Sequence, residues 1–221
     1  MTAGTASLQG IDVSSNQGAV NWGPVSKGNL SFAYLRATIG AHSADATFPG
    51  NWLRIRSTQL MRGAYHFFWP LANSADQADN YVQTVGMILP GDLPPVLDIE
   101  EAYLKTSSEQ DVWMTIARDN RLPMILNWLT RVEHELGIKP IIYSRQNYLV
   151  TLLGNGLVEL ADYPLWIAQY TTAAQPVIPP VWNAWTFWQY TDKGGVDGIN
   201  GDVDHNRFNG TLDNLKALAK A

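Results

Sequence analysis

Eight short apolar runs recur along the 221 residues, and helix-like or irregular segments separate most of them. The runs occupy residues 10–14, 31–38, 63–69, 95–100, 140–144, 164–170, 186–191 and 202–208. A strand followed by a crossover helix returns the next strand parallel to the first, and eight such strands can close on themselves. The expected fold is therefore α/β: an irregular TIM-like (β/α) barrel with eight strands. Helices are predicted over 74–88, where Asn73 precedes a Ser-Ala-Asp-Gln opening that reads as a capping box. Two more, over 107–120 and 124–136, are separated by Pro123. The last two cover 146–153, ending at Gly154, and 211–220, capped by Thr211. Residues 170–202 are rich in Pro, Gly and Trp and carry no helical pattern, so fewer than eight helices are expected. No linker, internal repeat or low-complexity tract interrupts the chain, and residues 1–221 read as one domain.

The acids sit where such a barrel places its chemistry, at strand ends. The run Pro94-Pro95-Val96-Leu97-Asp98-Ile99-Glu100 is an apolar strand that finishes in two carboxylates. Strand side chains alternate faces, so Val96, Asp98 and Glu100 point one way and Leu97 and Ile99 the other. Two acids held side by side cannot both ionise freely, and their pKa values separate into one proton donor and one anion. That pairing suits cleavage of a glycosidic bond. Asp-x-Glu is common in unrelated chains, and what distinguishes this one is recurrence: Asp12 lies in the first run and Asp204 in the last. First and last strands of a closed barrel are neighbours, which brings these two acids toward a common mouth.

Composition narrows the chemistry further. Hydrophobic residues make up 46% of the chain, enough for one sizeable core. The 9 Trp and 9 Tyr could simply be core, and aromatic faces are also the usual platform for sugar rings. A net charge of −5 without a basic stripe excludes nucleic acid as a natural partner. With no cysteine, thiol catalysis and Cys-based metal sites are ruled out, and the four histidines lack metal-ligand spacing. His66 reads as a satisfied core histidine. No Gly-x-Ser-x-Gly elbow is present. The first nine residues form neither a basic start nor an apolar run, so no signal peptide and no membrane insertion are expected.

The motifs themselves resemble glycoside hydrolase family 25, the Chalaropsis-type lysozymes. Gly10-Ile11-Asp12-Val13-Ser14-Ser15-Asn16-Gln17 is similar to the opening motif of that family, and Gly63-Ala64-Tyr65-His66-Phe67-Phe68 to its third strand. Residues 32–40 resemble its second strand and Leu97-Asp98-Ile99-Glu100 its acidic motif. Ile142-Tyr143-Ser144, Leu165-Trp166-Ile167-Ala168-Gln169-Tyr170, Trp188-Gln189-Tyr190 and Val203-Asp204-His205-Asn206 follow in the family's order. The second strand departs from the frequent Lys-Ala-Thr-Glu-Gly, reading Arg36-Ala37-Thr38-Ile39-Gly40.

The resemblance implies an N-acetylmuramidase that cleaves the β-1,4 bond between N-acetylmuramic acid and N-acetylglucosamine in peptidoglycan. It implies Glu100 as the general acid, Asp98 as its partner, and Asp12 and Asp204 as the remaining site carboxylates. The substrate's own 2-acetamido group would serve as nucleophile, giving a retaining route without cofactor or metal. Tyr65, Phe67, Tyr143, Trp166 and Gln189 are the candidate substrate contacts; Tyr65 and Tyr143 could equally be core. Asp12 could instead accept backbone bonds, Asp204 could be a turn residue, and Glu101, facing away from Glu100, is expected to be solvated. We expect a monomer acting on the bacterial cell wall, as a phage endolysin or a bacterial lytic enzyme. The alternative is a non-catalytic wall-binding barrel. A chitinase-like barrel is disfavoured because Val96 and Pro94 stand where further strand aspartates would be.

Overall fold

The computed structural model describes residues 7–104 and 106–219. The N-terminal residues 1–6 and Lys220, the last residue of the predicted terminal helix, lie outside the described residues. Eight strands close a barrel: β1 (Leu8–Val13), β2 (Phe32–Ile39), β3 (Met61–Phe67), β4 (Val96–Asp98), β5 (Ile141–Ser144), β6 (Leu165–Ala168), β7 (Phe187–Gly194) and β8 (Val203–Phe208). The first seven run parallel to their neighbours. The eighth is antiparallel to both β7 and β1 and closes the ring. The irregularity expected from the helix-free stretch 170–202 falls at this strand. Only the loop 195–202 separates it from β7, too short for a crossover helix, so the chain turns back instead.

Six helices accompany the strands among the described residues: α1 (Trp22–Val25), α2 (Phe48–Arg54), α3 (Ser74–Val85), α4 (Arg118–Leu136), α5 (Gln146–Leu153) and α6 (Leu212–Leu218). Asn73 caps α3 by accepting from the N–H groups of Ala75 and Asp76. Thr211 and Asn214 form a reciprocal capping box on α6. The helix expected over 107–120 does not form. Ser107–Asp111 instead pairs with Tyr103–Leu104 as a short hairpin, followed by a 3₁₀ turn over Val112–Thr115. Asp111 holds this turn, accepting from the N–H groups of Ala102 and Trp113 and from the Tyr148 hydroxyl. Nor does Pro123 break a helix. It is the sixth residue of α4, where a proline removes one backbone bond close to an end that already lacks several, and α4 runs on to Leu136.

Two buried layers follow from strand alternation. Outward-facing Ala33, Leu35, Leu97, Ile99 and Ile142 pack beneath the helices. Phe32, Tyr34, Val96, Ile141, Trp166, Phe187 and Phe208 fill the barrel interior, and Leu215 of α6 joins them. Because α6 follows Phe208 directly, it closes the end of the barrel away from the acids. His66 faces the helices, as expected of a core histidine: it is fully buried, stacked on Trp128, with Nδ1 2.7 Å from Thr38 Oγ1 and Nε2 3.1 Å from Gln77 Oε1. Burial holds it at about 3, hence neutral, so its single N–H donates to Gln77 and Nδ1 accepts from Thr38.

Glycine makes the interior fit. A Cβ at Gly63 would collide with the Tyr34 ring, and one at Gly10 with the Phe32 ring. These rings pack edge-on or tilted against Phe187 and Trp166 and have no room to retreat. Gly63→Ala is therefore expected to destabilise by roughly 1–3 kcal/mol, the range for overpacking a core. The same substitution at Gly86, where a Cβ meets no atom but φ is +66°, tests backbone strain alone. Urea midpoints of the two variants check this, with no loss at Gly63 contradicting it.

Candidate active site

The mouth of the barrel is an open cleft of about 630 Å³, and all nine candidate residues line it: Asp12, Asp98, Glu100, Asp204, Tyr65, Phe67, Tyr143, Trp166 and Gln189. Asp98 ends β4, and the extended track continues one residue beyond it. The Ile99 N–H bonds to Tyr143 O at 2.9 Å, and Ile99 O accepts from Ser144 Oγ at 2.5 Å. Glu100 thus stands at the rim, on the face of Asp98 and Val96. Asp12 is next to last in β1, while Asp204 is second in β8. The antiparallel register sets Asp12 directly opposite Asp204. An acid near the start of a reversed strand arrives at the same rim as acids at the ends of parallel ones, which corrects the expectation that all would lie at C-terminal ends.

Crowding and burial raise the carboxyl pKa values together. Burial is the main cause at Glu100, which is pushed up to about 7; Arg145 and Arg36 oppose the rise, and Glu101 and Asp204 add to it. Asp98 is raised well above its ordinary range by burial, then by Glu100 and Asp12. Burial and the facing Asp204 raise Asp12 well above its ordinary range, and burial raises Asp204. Asp98 Oδ1 is buried and has no hydrogen-bond partner in the protein. A buried acceptor left open costs about 1–3 kcal/mol, and at the floor of a cleft it is suited to a donor brought by a ligand.

The surrounding polar groups orient these acids. Asp12 Oδ2 accepts from Gln189 Nε2 at 3.0 Å and Asn206 Nδ2 at 2.7 Å. Trp166 Nε1 donates to Asn206 Oδ1, and the hydroxyls of Tyr143 and Tyr170 both donate to Gln189 Oε1. Trp166 and Gln189 are only 2% and 3% exposed, so they form the floor that supports Asp12. Arg36 brings a positive charge to the cleft, held by Asp45 at 2.9 Å and by Ser15 Oγ at 3.0 Å. Burial works against the Asp45 charge, but bonds from Ser15 and Thr47, with Arg36 beside it, keep its pKa below the ordinary value. Glu101 is not the solvated acid expected from its face. It pairs with Arg145, the residue that opens α5.

The sequence reading gave no role to Arg36, Asp45, Asn206, Arg145 or Tyr170, although Arg36, Asn206 and Tyr170 stand within its motifs. For Arg36 and Asn206 a signal existed: each continues the inward face of its strand, after Phe32 and Tyr34 in one case and between Asp204 and Phe208 in the other. A β-bulge after Arg36 ends that alternation and lets Thr38 turn outward to His66. Among the described residues no group of three or more His, Asp or Glu is placed to hold a metal ion. No helix among them is long and apolar enough to cross a membrane.

Known proteins are similar to this one across nearly the whole chain. YegX, an uncharacterized protein of Escherichia coli (strain K12), is 39% identical over 216 residues, which cover 96% of this chain and 73% of YegX. Lysozyme M1 of Streptomyces globisporus is 34% identical, with 98% of this chain and 73% of that protein covered. The crystal structure of the bacterial lysozyme from Streptomyces coelicolor superposes with a TM-score of 0.88 at 34% identity, over 97% of this chain and 98% of that one. The sequence profile of glycosyl hydrolases family 25 matches residues 11–199, a span that takes in the barrel from β1 to β7 and three of the four cleft acids. By fold and by sequence, the chain belongs to glycosyl hydrolases family 25, the family of muramidases and lysozymes.

Proposed function

We propose that this chain is a cell-wall lytic muramidase that hydrolyses the β-1,4 bond between N-acetylmuramic acid and N-acetylglucosamine, with Glu100 as proton donor and Asp98 as the group that engages the 2-acetamido substituent. The observation that carries this reading is the pairing of a rim carboxyl raised to about 7 with a buried, unpartnered Asp98 oxygen beneath it. At neutral pH a large fraction of Glu100 holds its proton and can give it to the glycosidic oxygen as the bond to the anomeric carbon breaks. The acetamido N–H donates to Asp98, and the acetamido oxygen attacks the anomeric carbon from the opposite face. Positive charge then develops on the sugar. The Asp98 anion is stabilised most at that moment, so the interaction favours the transition state over the bound ground state. Water opens the ring intermediate, giving its proton to the Glu100 carboxylate, and the configuration is retained. Asp12, braced by Asn206 and Gln189, and Asp204 opposite it add negative potential at the same spot.

Mass spectrometry of digested peptidoglycan tests the bond: reducing muramic acid ends support the proposal, and reducing glucosamine ends overturn it. Glu100→Gln keeps the shape of the side chain and removes the acid, so kcat is expected to fall by roughly 10²–10⁴-fold, the usual contribution of a positioned proton donor. Wild-type-like lysis by a folded Glu100→Gln protein would refute the assignment.

Activity should decline as pH rises through about 7, where Glu100 loses its proton. Stability has the same sign. The pKa of Glu100 is higher in the folded chain, about 7 against an ordinary 4.5, so folding takes up protons between these values and the native state weakens as pH rises through that window. Glu100→Gln should therefore melt like wild type below pH ~4 and higher than wild type above pH ~8. Parallel thermal scans across this range measure the difference; an advantage confined to acid would contradict the sign.

A further inference from the structure

The outside of the barrel is bare on one side. Among the described residues no helix separates β6 from β7 or β7 from β8, so no crossover helix covers the outward faces of the last strands. Trp188 and Tyr190 of β7, His205 and Arg207 of β8 and Gln9 of β1 lie on this side. Arg207 stands opposite Gln9 in the register of β1 and β8. Its guanidinium lies 4.9 Å from the centre of the Trp188 ring and 4.4 Å from that of Tyr190. Two aromatic faces therefore fix its plane. Yet Arg207 forms no ion pair or hydrogen bond with any described residue, and its Nε is buried. A planar fork of donors, oriented in advance and left without a protein acceptor, suits an oxyanion brought from outside.

The Tyr190 ring also lines a cavity of about 970 Å³ between this face and the loops 27–30 and 195–197. The second loop is tied down: the Asn21 N–H donates to Gly198 O at 2.9 Å, and a Cβ at Gly198, where φ is +98°, would run into Asn21 O. The cavity is preformed, which lowers the cost of filling it. Pro24, Val25 and Leu30 give it an apolar side. Lys27 and Asp197 line it as well, both exposed and without an ion pair among the described residues.

Unpaired cations and an unpaired carboxylate around an apolar surface match a small peptide that carries carboxylates and an amine. A polyphosphate would set like charge against Asp197. Under the proposed muramidase reading, on which the identity of the ligand rests, such peptides are at hand: the stems attached to the glycan of peptidoglycan carry carboxylates and, on their diamino acid, an ammonium group. We propose that this outer face is a second, non-catalytic binding site for a peptidoglycan stem peptide, with Arg207 taking a stem carboxylate and Asp197 the stem amine. The face is turned away from the acid cleft, so the stem it holds belongs to a neighbouring glycan strand. Holding it keeps the enzyme on the cell wall while the cleft engages its own strand.

Titration calorimetry with the free tetrapeptide L-alanyl-γ-D-glutamyl-diaminopimelyl-D-alanine tests the site. Wild type should bind it, and Arg207→Gln should bind at least about tenfold more weakly. Arg207→Lys keeps the charge without the fork and should recover little of the loss. Asp197→Asn should weaken binding of this peptide but not of the peptide acetylated on its diaminopimelyl amine. Arg207→Gln should also act more slowly than wild type on intact cell walls, with an unchanged kcat/KM on oligosaccharides that carry no peptide. Absence of tetrapeptide binding by wild type, or equal binding by folded Arg207→Gln, overturns the inference. Should Arg207→Gln fail to fold, unchanged affinity in Asp197→Asn overturns it instead. Arg207-dependent binding of polyglycerol phosphate without binding of the peptide overturns it too, in favour of a phosphate ligand. A wild-type protein that binds the tetrapeptide through Arg207 yet releases no reducing muramic acid ends from cell walls refutes the muramidase proposal and leaves the peptide site standing.

Discussion

Four carboxyl groups share one poorly hydrated cleft, and the rest of the mouth is organised around keeping them there. Buried like charges repel, and each loses hydration that water would otherwise supply. The protein answers in two ways. It lets the pKa values of Asp12, Asp98, Glu100 and Asp204 rise, so that the four need not all be charged at once. It also sets cations nearby without letting them neutralise the acids by direct contact. Arg36 is turned onto Asp45 and Arg145 onto Glu101, so both temper the cleft from a short distance.

This arrangement depends on closure by a reversed strand. A parallel β8 would present Asp204 at the opposite end of the barrel and Phe208 at the mouth. Running antiparallel, β8 sets Asp204 against Asp12 and lays Asn206 beneath both, where it joins Asp12 to Trp166. Phe208 then completes the apolar interior at the other end, where α6 covers it. One turn of chain direction thus sorts polar from apolar residues along the whole strand.

The supporting residues also connect the acids to the rim. Gln189 gives its amide N–H to Asp12 and takes hydroxyls from Tyr143 and Tyr170, so one amide ties a cleft acid to an exposed ring at the rim. Fixed dipoles of this kind need no reorganisation as charge develops, which is the advantage of a preorganised polar site over water. The same rigidity carries a penalty: buried acids and an open acceptor on Asp98 weaken the fold.

Much of this was legible in the chain itself. The period-two pattern of Val96, Asp98 and Glu100 is local, so their common face follows from strand geometry alone. His66 as a satisfied core residue, the caps at Asn73 and Thr211, and the eight-stranded barrel could also be read from the chain. The hairpin at 103–111 could not, because its stability comes from Asp111 reaching Ala102 and Tyr148, which the sequence keeps apart. Pro123 misled for a related reason: its effect depends on where the helix begins. The amino-acid sequence by itself determined which residues could share a face, since alternation is a property of neighbouring peptides. Only the tertiary structure decided which faces meet, that β8 runs backwards, and that Arg36, Asn206 and Tyr170 serve the acids. Those pairings arise from ring closure among residues up to 194 positions apart, and no local pattern encodes them.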